Sequence, residues 1–194
     1  TYSDQGGAFI YVRNDQGTPE YTGDDTWEYQ ATLLAPDADN NTSDRFGHVV
    51  AISGDTAVVA ALYGDETAEN AGSVFVFTRS NGIWSFQQEL HVADTIGNGY
   101  FGDVVAIEND TIVVGARSTD VYTGSAYVFK RENNVWTQTA KLVANDAAPV
   151  ANFGSSVDIE NSTIVIGARL DSETEYRSGA VYIFNEQDEN WTQT

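Results

Sequence analysis

Residues 101–116, FGDVVAIENDTIVVGA, followed by Gly124-Ser-Ala-Tyr-Val-Phe129 and then Trp136, decide the fold of this 194-residue chain. Among the first seven residues Phe101, Val105 and Ile107 put apolar side chains on one face, with small or variable residues between them, as a half-buried strand does. Asn109-Asp110 then supplies the positive-φ residues of a two-residue hairpin turn. Thr111 to Ala116 is apolar on both faces, which suits a strand sandwiched between neighbouring sheets. Gly124 to Phe129 alternates aromatic with aliphatic, and a fourth strand opens at Trp136 and reaches Leu142 six residues on. No segment shows helical periodicity.

The same order recurs along the chain. Phe-Gly pairs stand at Phe46-Gly47, Phe101-Gly102 and Phe153-Gly154, spaced 55 and 52 residues apart. Tryptophans stand at Trp27, Trp84, Trp136 and Trp191, spaced 57, 52 and 55. The turn of the first unit is Gly54-Asp55 and that of the third is Asn161-Ser162. Third strands begin at Gly72 and Gly179, with Gly6 to Tyr11 as a degraded fourth copy. Units of about 50 residues that cannot hide their own faces stack about an axis as propeller blades. The predicted fold is therefore all-β, with blades of four antiparallel strands and about 3.5 blades. The expected division is a half blade at 1–34 and blades at 35–90, 91–142 and 143–194.

The Phe-Gly openings, the second strands Val113-Val114-Gly115-Ala116 and Val165-Ile166-Gly167-Ala168, and the third strand Gly124 to Phe129 together resemble FG-GAP repeats. The resemblance covers the chain from Gly6 to Thr194. It implies the β-propeller of integrin α-subunits and of secreted microbial and algal proteins, and with it extracellular binding. The integrin-like calcium loop between strands one and two is absent here, because that hairpin has shrunk to two residues, so those sites do not carry over.

A half blade with strands three and four but not one and two leaves a strand edge open. The expectation is a segment of a longer propeller, or one completed by another chain. Twenty-nine acidic against nine basic residues give a formal charge of -20, which repels nucleic acid and anionic lipid surfaces. No apolar run is long enough for a membrane helix. With no cysteine, disulfides, thiolate metal sites and cysteine nucleophiles are excluded. An acidic, lysine-poor surface suits a salty extracellular medium or the cell surface.

Comparison among the units separates architecture from function. Positions shared by all units, the Phe-Gly pairs, tryptophans and third-strand aromatics, are expected to pack. His48 falls where the other units have Asp103 and Ser155, and reads as a solvated channel residue. His91 has no serine or carboxylate constellation around it, so no enzyme activity is expected.

Charge gathers in the connections between blades and from strand two to strand three, which share one rim. There the candidate ligand-binding residues are Asp65, Glu66, Asp94, Arg117, Asp120, Asp146, Arg169 and Asp171. They form either an acidic surface for a cationic or calcium-bridged partner, or a solvated, salt-tolerant face. Asp37-x-Asp39-x-Asn41-x-x-Asp44 spaces oxygen ligands as calcium loops do, but Thr42 stands where the turn glycine is expected and the run lies between blades, which favours an ordinary Asx-rich turn over a calcium site. Calcium is the one cofactor this suggests. Arg45, Arg117 and Arg169 are expected to pair with carboxylates. Asn40, Asn41, Asn109, Asn161 and Asn190 each open a glycosylation sequon. A loop from Arg13 to Asp25, longer than its counterparts, is expected at the outer edge of the half blade.

The function expected from these readings is extracellular recognition or adhesion toward a protein or carbohydrate ligand. The alternatives are a structural subunit of an extracellular filament or matrix, and the accessory propeller of a larger secreted enzyme.

Overall fold

The computed structural model describes residues 6–17, 22–36, 44–64, 70–94, 98–172 and 175–194. Fourteen strands run in chain order: β1 (Ala8–Asn14), β2 (Thr26–Leu33), β3 (Phe46–Ser53), β4 (Thr56–Ala61), β5 (Ser73–Ser80), β6 (Ile83–Leu90), β7 (Val104–Glu108), β8 (Thr111–Ala116), β9 (Ser125–Glu132), β10 (Val135–Leu142), β11 (Phe153–Glu160), β12 (Thr163–Ala168), β13 (Ala180–Gln187) and β14 (Asn190–Gln193). They form one two-stranded sheet, β1-β2, and three four-stranded antiparallel meanders, β3 to β6, β7 to β10 and β11 to β14. These are three full blades and the expected half blade, and the sheets do not close into a ring. A single helical turn, α1 (Thr119–Tyr122), sits in the connection from β8 to β9, where no helical pattern was legible.

The hairpins form as their sequences require. Gly54, Asn109, Asn161 and Ser162 take φ of 56°, 51°, 47° and 64°, the left-handed region that Asn and Gly tolerate best. They hold β3 to β4, β7 to β8 and β11 to β12 in antiparallel register, such as Ile52↔Ala57 and Ile107↔Ile112.

The core lies between sheets. One face of each blade carries the aromatic and large aliphatic residues, and the small aliphatic face of the preceding blade covers it. Thus Val58, Ala60, Val74 and Val76 pack with Phe101, Ile112, Val114, Tyr127, Phe129 and Trp136. Val113, Ala126 and Val128 pack in the same way with Phe153, Ile164, Ile166, Tyr182 and Phe184. Ala8 and Leu33 of the half blade join Phe46, Ala57, Val59, Phe75 and Phe77.

Each seam has a close backbone contact at the same place. The glycine opening a third strand lies against the Phe of the next Phe-Gly pair, bridged at Gly6↔Phe46 and Gly124↔Phe153. A Cβ on Gly6, Gly72 or Gly124 would stand 1.9, 1.9 and 2.0 Å from that phenylalanine's carbonyl oxygen, and the three have φ of 74°, 89° and 89°. Gly179 has φ of 76° but nothing nearer than 3.5 Å, because no blade follows it among the described residues.

A second device works at the outer edge. Strands three and four pair with a bulge at one fixed place, which leaves Gln30, Gln87 and Thr139 unpaired. The bulge turns Gln30 and Gln87 toward the following blade, where each accepts the indole N–H, Trp84 Nε1 to Gln30 at 2.7 Å and Trp136 Nε1 to Gln87 at 3.1 Å. Thr139 is too short for this, and the buried Trp191 Nε1 has no partner among the described residues.

Two expectations need correction. The four tryptophans were read as packed alike, yet Trp27 is 67% exposed while Trp136 is 2% exposed. Phe9, Tyr11 and Tyr29 are exposed with Trp27, since no blade precedes the half blade among the described residues. The long loop was read as starting at Arg13, whereas Arg13 and Asn14 belong to β1, and Arg13 Nε donates to Asp25 at 2.5 Å.

Two outcomes are expected in denaturant unfolding. Gly72→Ala or Gly124→Ala should abolish folding or cost more than about 3 kcal/mol, while Gly179→Ala should cost only the left-handed backbone penalty of about 1–2 kcal/mol. Thr139→Gln, which restores the indole acceptor, should raise stability by about 1 kcal/mol.

Candidate functional site

Because the strands are antiparallel, the interblade connections and the turns from strand two to strand three fall on one rim. These loops are tied down across the seams. Phe153 N donates to Thr123 O at 2.9 Å, and the buried Asn152 gives its backbone N–H to Tyr122 O at 3.0 Å and its side-chain amide to Arg117 O at 3.1 Å. Thr119 Oγ1 donates to Ala116 O at 3.1 Å and meets Ser125 Oγ at 2.9 Å.

On the second full blade the rim brings together Asp94, Asp120, Lys141 and Tyr127. Lys141 Nζ lies 2.7 Å from Asp94 Oδ2 and 3.3 Å from Asp120 Oδ2, and 5.6 Å from the centre of the Tyr127 ring. Burial alone would raise the Asp94 pKa, but the hydrogen bond and charge of Lys141 outweigh it and hold the carboxyl below its ordinary value. Burial also disfavours the charged lysine, yet Asp94, Tyr127 and Asp120 bring its pKa above the usual value. The Tyr127 phenol is pushed up to about 12, first by burial and then by the Asp94 charge, against the opposing charge of Lys141.

The third full blade repeats part of this arrangement. Asp146 and Asp171 flank a hollow of about 220 Å³, lined also by Ala148, Pro149, Ala151, Leu170 and Ser172. Tyr182, the counterpart of Tyr127, donates from its hydroxyl to Asp171 Oδ2 at 3.4 Å. Burial, followed by both aspartates, raises its pKa well above that of a free tyrosine. Asp171 is itself buried at 3% exposure, so this carboxylate is part of the wall and not a surface charge.

Deeper on the blade openings, Arg117 Nε stands 2.9 Å from Asp103 Oδ2, an ion pair without an aligned N–H, and His48 Nε2 approaches the other oxygen of Asp103 at 3.9 Å. This sets His48 beside the carboxylate of the next unit's equivalent position. Arg169 was expected to pair likewise, but Ser155 replaces the carboxylate there. That serine instead donates to Gly167 O at 3.1 Å and accepts from Arg169 N at 3.3 Å. Arg45 stacks over Tyr63 at 4.5 Å, where a carboxylate partner was expected.

Asp65, Glu66, Asp37, Asp39, Asn40 and Asn41 lie outside the described residues, and of the calcium-like run only Asp44 is described. Among the described residues no group of three or more His, Asp or Glu side chains is arranged to hold a metal ion. Asn109, Asn161 and Asn190 sit exposed on hairpins, Asn190 with its amide turned back to Asp188 O at 2.9 Å.

Sequence reasoning passed over Lys141, Tyr127 and Tyr182 as contributors to the rim. The signal was present, since both tyrosines stand where the first unit has Phe75. It also missed Arg79 and Arg131, which repeat one clip on the opposite edge. Each donates from Nε to a hairpin aspartate at 2.7 Å, Asp55 and Asp110, and lies over Trp84 or Trp136 at 5.3 and 5.1 Å. In the third blade Glu186 takes that place and pairs with Lys130 across the seam.

No helix among the described residues is long and apolar enough to cross a membrane. A family model described as FG-GAP repeat matches residues 27–77, 84–129 and 136–184, one match spanning most of each unit. No curated protein matches the chain.

The tyrosines provide a check on the rim. A phenol whose folded pKa is raised stabilises the fold fully below its unfolded value of 10.0 and loses that contribution as pH rises through about 12. Absorbance titration should show Tyr127 ionising after the exposed tyrosines, and Tyr127→Phe should remove that late transition and flatten the fall in unfolding temperature between pH 10 and 12.

Proposed function

The chain belongs to the FG-GAP repeat family, and from that premise we propose that it is a β-propeller-type recognition module. It works outside the cell or at the cell surface, and binds protein or carbohydrate partners through its rim loops rather than catalysing a reaction. The observation that carries this reading is the grip of Asp94 and Asp120 on the Lys141 ammonium above the Tyr127 ring. Rim carboxylates and a phenol face on this scaffold are thus able to hold an amine.

Asp146 lines a hollow whose wall holds the buried Asp171–Tyr182 pair, a place for a partner's lysine, arginine or hydroxyl groups beside Asp146. The net charge of -20 favours approach by a basic surface and disfavours nucleic acid. Rigid anchoring of the loops across the seams supports recognition with little ordering cost on binding. Further blades, from the same polypeptide or another chain, complete the ring. The exposed aromatic face of Phe9, Tyr11, Trp27 and Tyr29 supports a second reading, a subunit of an extracellular assembly in which this face is buried.

Protein and glycan arrays, probed with and without calcium, test the first reading. A true partner should lose about tenfold or more in affinity toward the Asp146→Asn, Asp171→Asn double variant and weaken with added salt. Binding that is indifferent to both changes would place recognition elsewhere on the molecule.

A further inference from the structure

At the end of the strands opposite the rim, the seam between the first two full blades opens into a hollow of about 620 Å³. That is space for roughly twenty waters, within the range of small-ligand sites. The β3–β4 and β7–β8 hairpins and the β9–β10 turn form its walls. Three bonds across the seam hold them in place. Arg131 Nη1 donates to Thr56 Oγ1, Gln87 Nε2 to Asn134 O and Asn109 N to Ser53 Oγ, each at 3.0 Å.

Charge cancels inside this hollow. Its guanidiniums, Arg79 and Arg131, are each held by their own carboxylate, Asp55 and Asp110, and lie over indoles. On a chain of formal charge -20 the place is locally neutral. The groups left unengaged are uncharged: the side-chain amides of Asn109 and Asn134 and the Thr78 hydroxyl have no hydrogen-bond partner among the described residues. Each of these groups can both donate and accept. The Asp55 and Asp110 side chains are 67% and 63% exposed, so their remaining lone pairs are open to a ligand's hydroxyls. An apolar guest would leave all these groups unsatisfied, and an ion would meet no net charge.

The next seam shows that the fold does not demand this lining. There Lys130 takes the place of Thr78 and Glu186 that of Arg131, and the two pair across the gap. Glu108 replaces Ser53 and accepts from Asn161 N at 2.9 Å, and Glu189 replaces Asn134. An ion pair thus spans the position where the first seam keeps free amides and a hydroxyl.

We propose that the hollow between the first and second full blades binds a neutral mono- or disaccharide. Asn109, Asn134 and Thr78 bond sugar hydroxyls in both senses, Asp55 and Asp110 accept from them, and the two arginines fix the carboxylates. Walls already tied across the seam keep the ordering cost of binding low. The site lies at the opposite end of the strands from Asp94 and Asp146, so either site can fail without the other.

The test titrates the 194-residue chain, produced without glycans, with glucose, galactose, mannose, lactose, maltose and cellobiose while backbone amide shifts are followed. At least one should move the amides of Gly54, Asp55, Asn109 and Asp110 with a millimolar or tighter Kd, and glucuronate and glucosamine should bind about tenfold more weakly or worse. Asn109→Gly with Asn134→Gly installs the glycines that the first unit has at Gly54 and Gly82, at positions where φ is already positive. This variant should keep slow amide exchange in β8 and β9 and weaken binding about tenfold or more. Thr78→Lys with Asp110→Ser and Arg131→Glu copies the bridge of the next seam and should abolish the shifts. No shift with any of the six sugars at about 100 mM, shifts confined to the rim around Asp94 and Asp146, tighter binding of either charged sugar, or unchanged binding by both variants would overturn the proposal.

Discussion

The glycine that opens each third strand touches the phenylalanine carbonyl that opens the next blade, and the architecture depends on this approach. With a Cβ to carbonyl separation near 1.9 Å at Gly6 and Gly72, no other residue fits without moving a backbone. The contact fixes how far one sheet stands from the next. Only at that distance do the small aliphatic face of one blade and the aromatic face of its neighbour interdigitate, and only then do bulged Gln30 and Gln87 reach Trp84 and Trp136. Backbone approach, side-chain packing and indole hydrogen bond are three readouts of one spacing.

The rim inherits its order from the same seams. Asp94 belongs to the connection leaving one blade and Lys141 to the next, so the Asp94–Lys141 ion pair exists only while the blades keep their positions. Asp146 and Asp171 are related in the same way across the following seam. A binding surface built across seams, rather than within a blade, has its geometry set by the core beneath it. That makes the loops positioned elements despite their acidic, polar composition.

The fold was legible because its signals are local and repeated. Phe-Gly pairs, two-residue turns opened by Gly or Asn and the Gly-x-x-x-x-Phe third strands each demand a particular backbone, and three copies agree. The half blade was legible from its own third- and fourth-strand signals, Gly6 to Tyr11 and Trp27 to Leu33. Exposure was not: Trp27 and Trp136 are the same residue in the same repeat position, and only the presence of a preceding blade separates them. Of the site, sequence named Asp94, Asp120, Asp146 and Asp171, since charge in loops is visible in a string. It missed Lys141 and the two tyrosines, which lie on strands, and the tyrosines were read as packing residues. Their polar ends reach the rim from below, a relation that depends on the tilt of one sheet against another. Arg117 and Arg169 were both expected to pair with surrounding carboxylates; Arg117 does so with Asp103, whereas the equivalent position beside Arg169 is Ser155, which bonds Gly167 O and Arg169 N.

Each seam takes its residues from only two adjacent units. Adding or deleting one whole unit therefore leaves the remaining contacts intact, whereas a shift by part of a unit would misalign glycine and phenylalanine at once. Such a chain is suited to lengthen or shorten by duplication and recombination in whole-blade steps. The third blade has Ser156 and Asp158 where its neighbours have Val104 and Ala106 or Val49 and Ala51, so this face carries polar residues where, among the described residues, no following blade covers it.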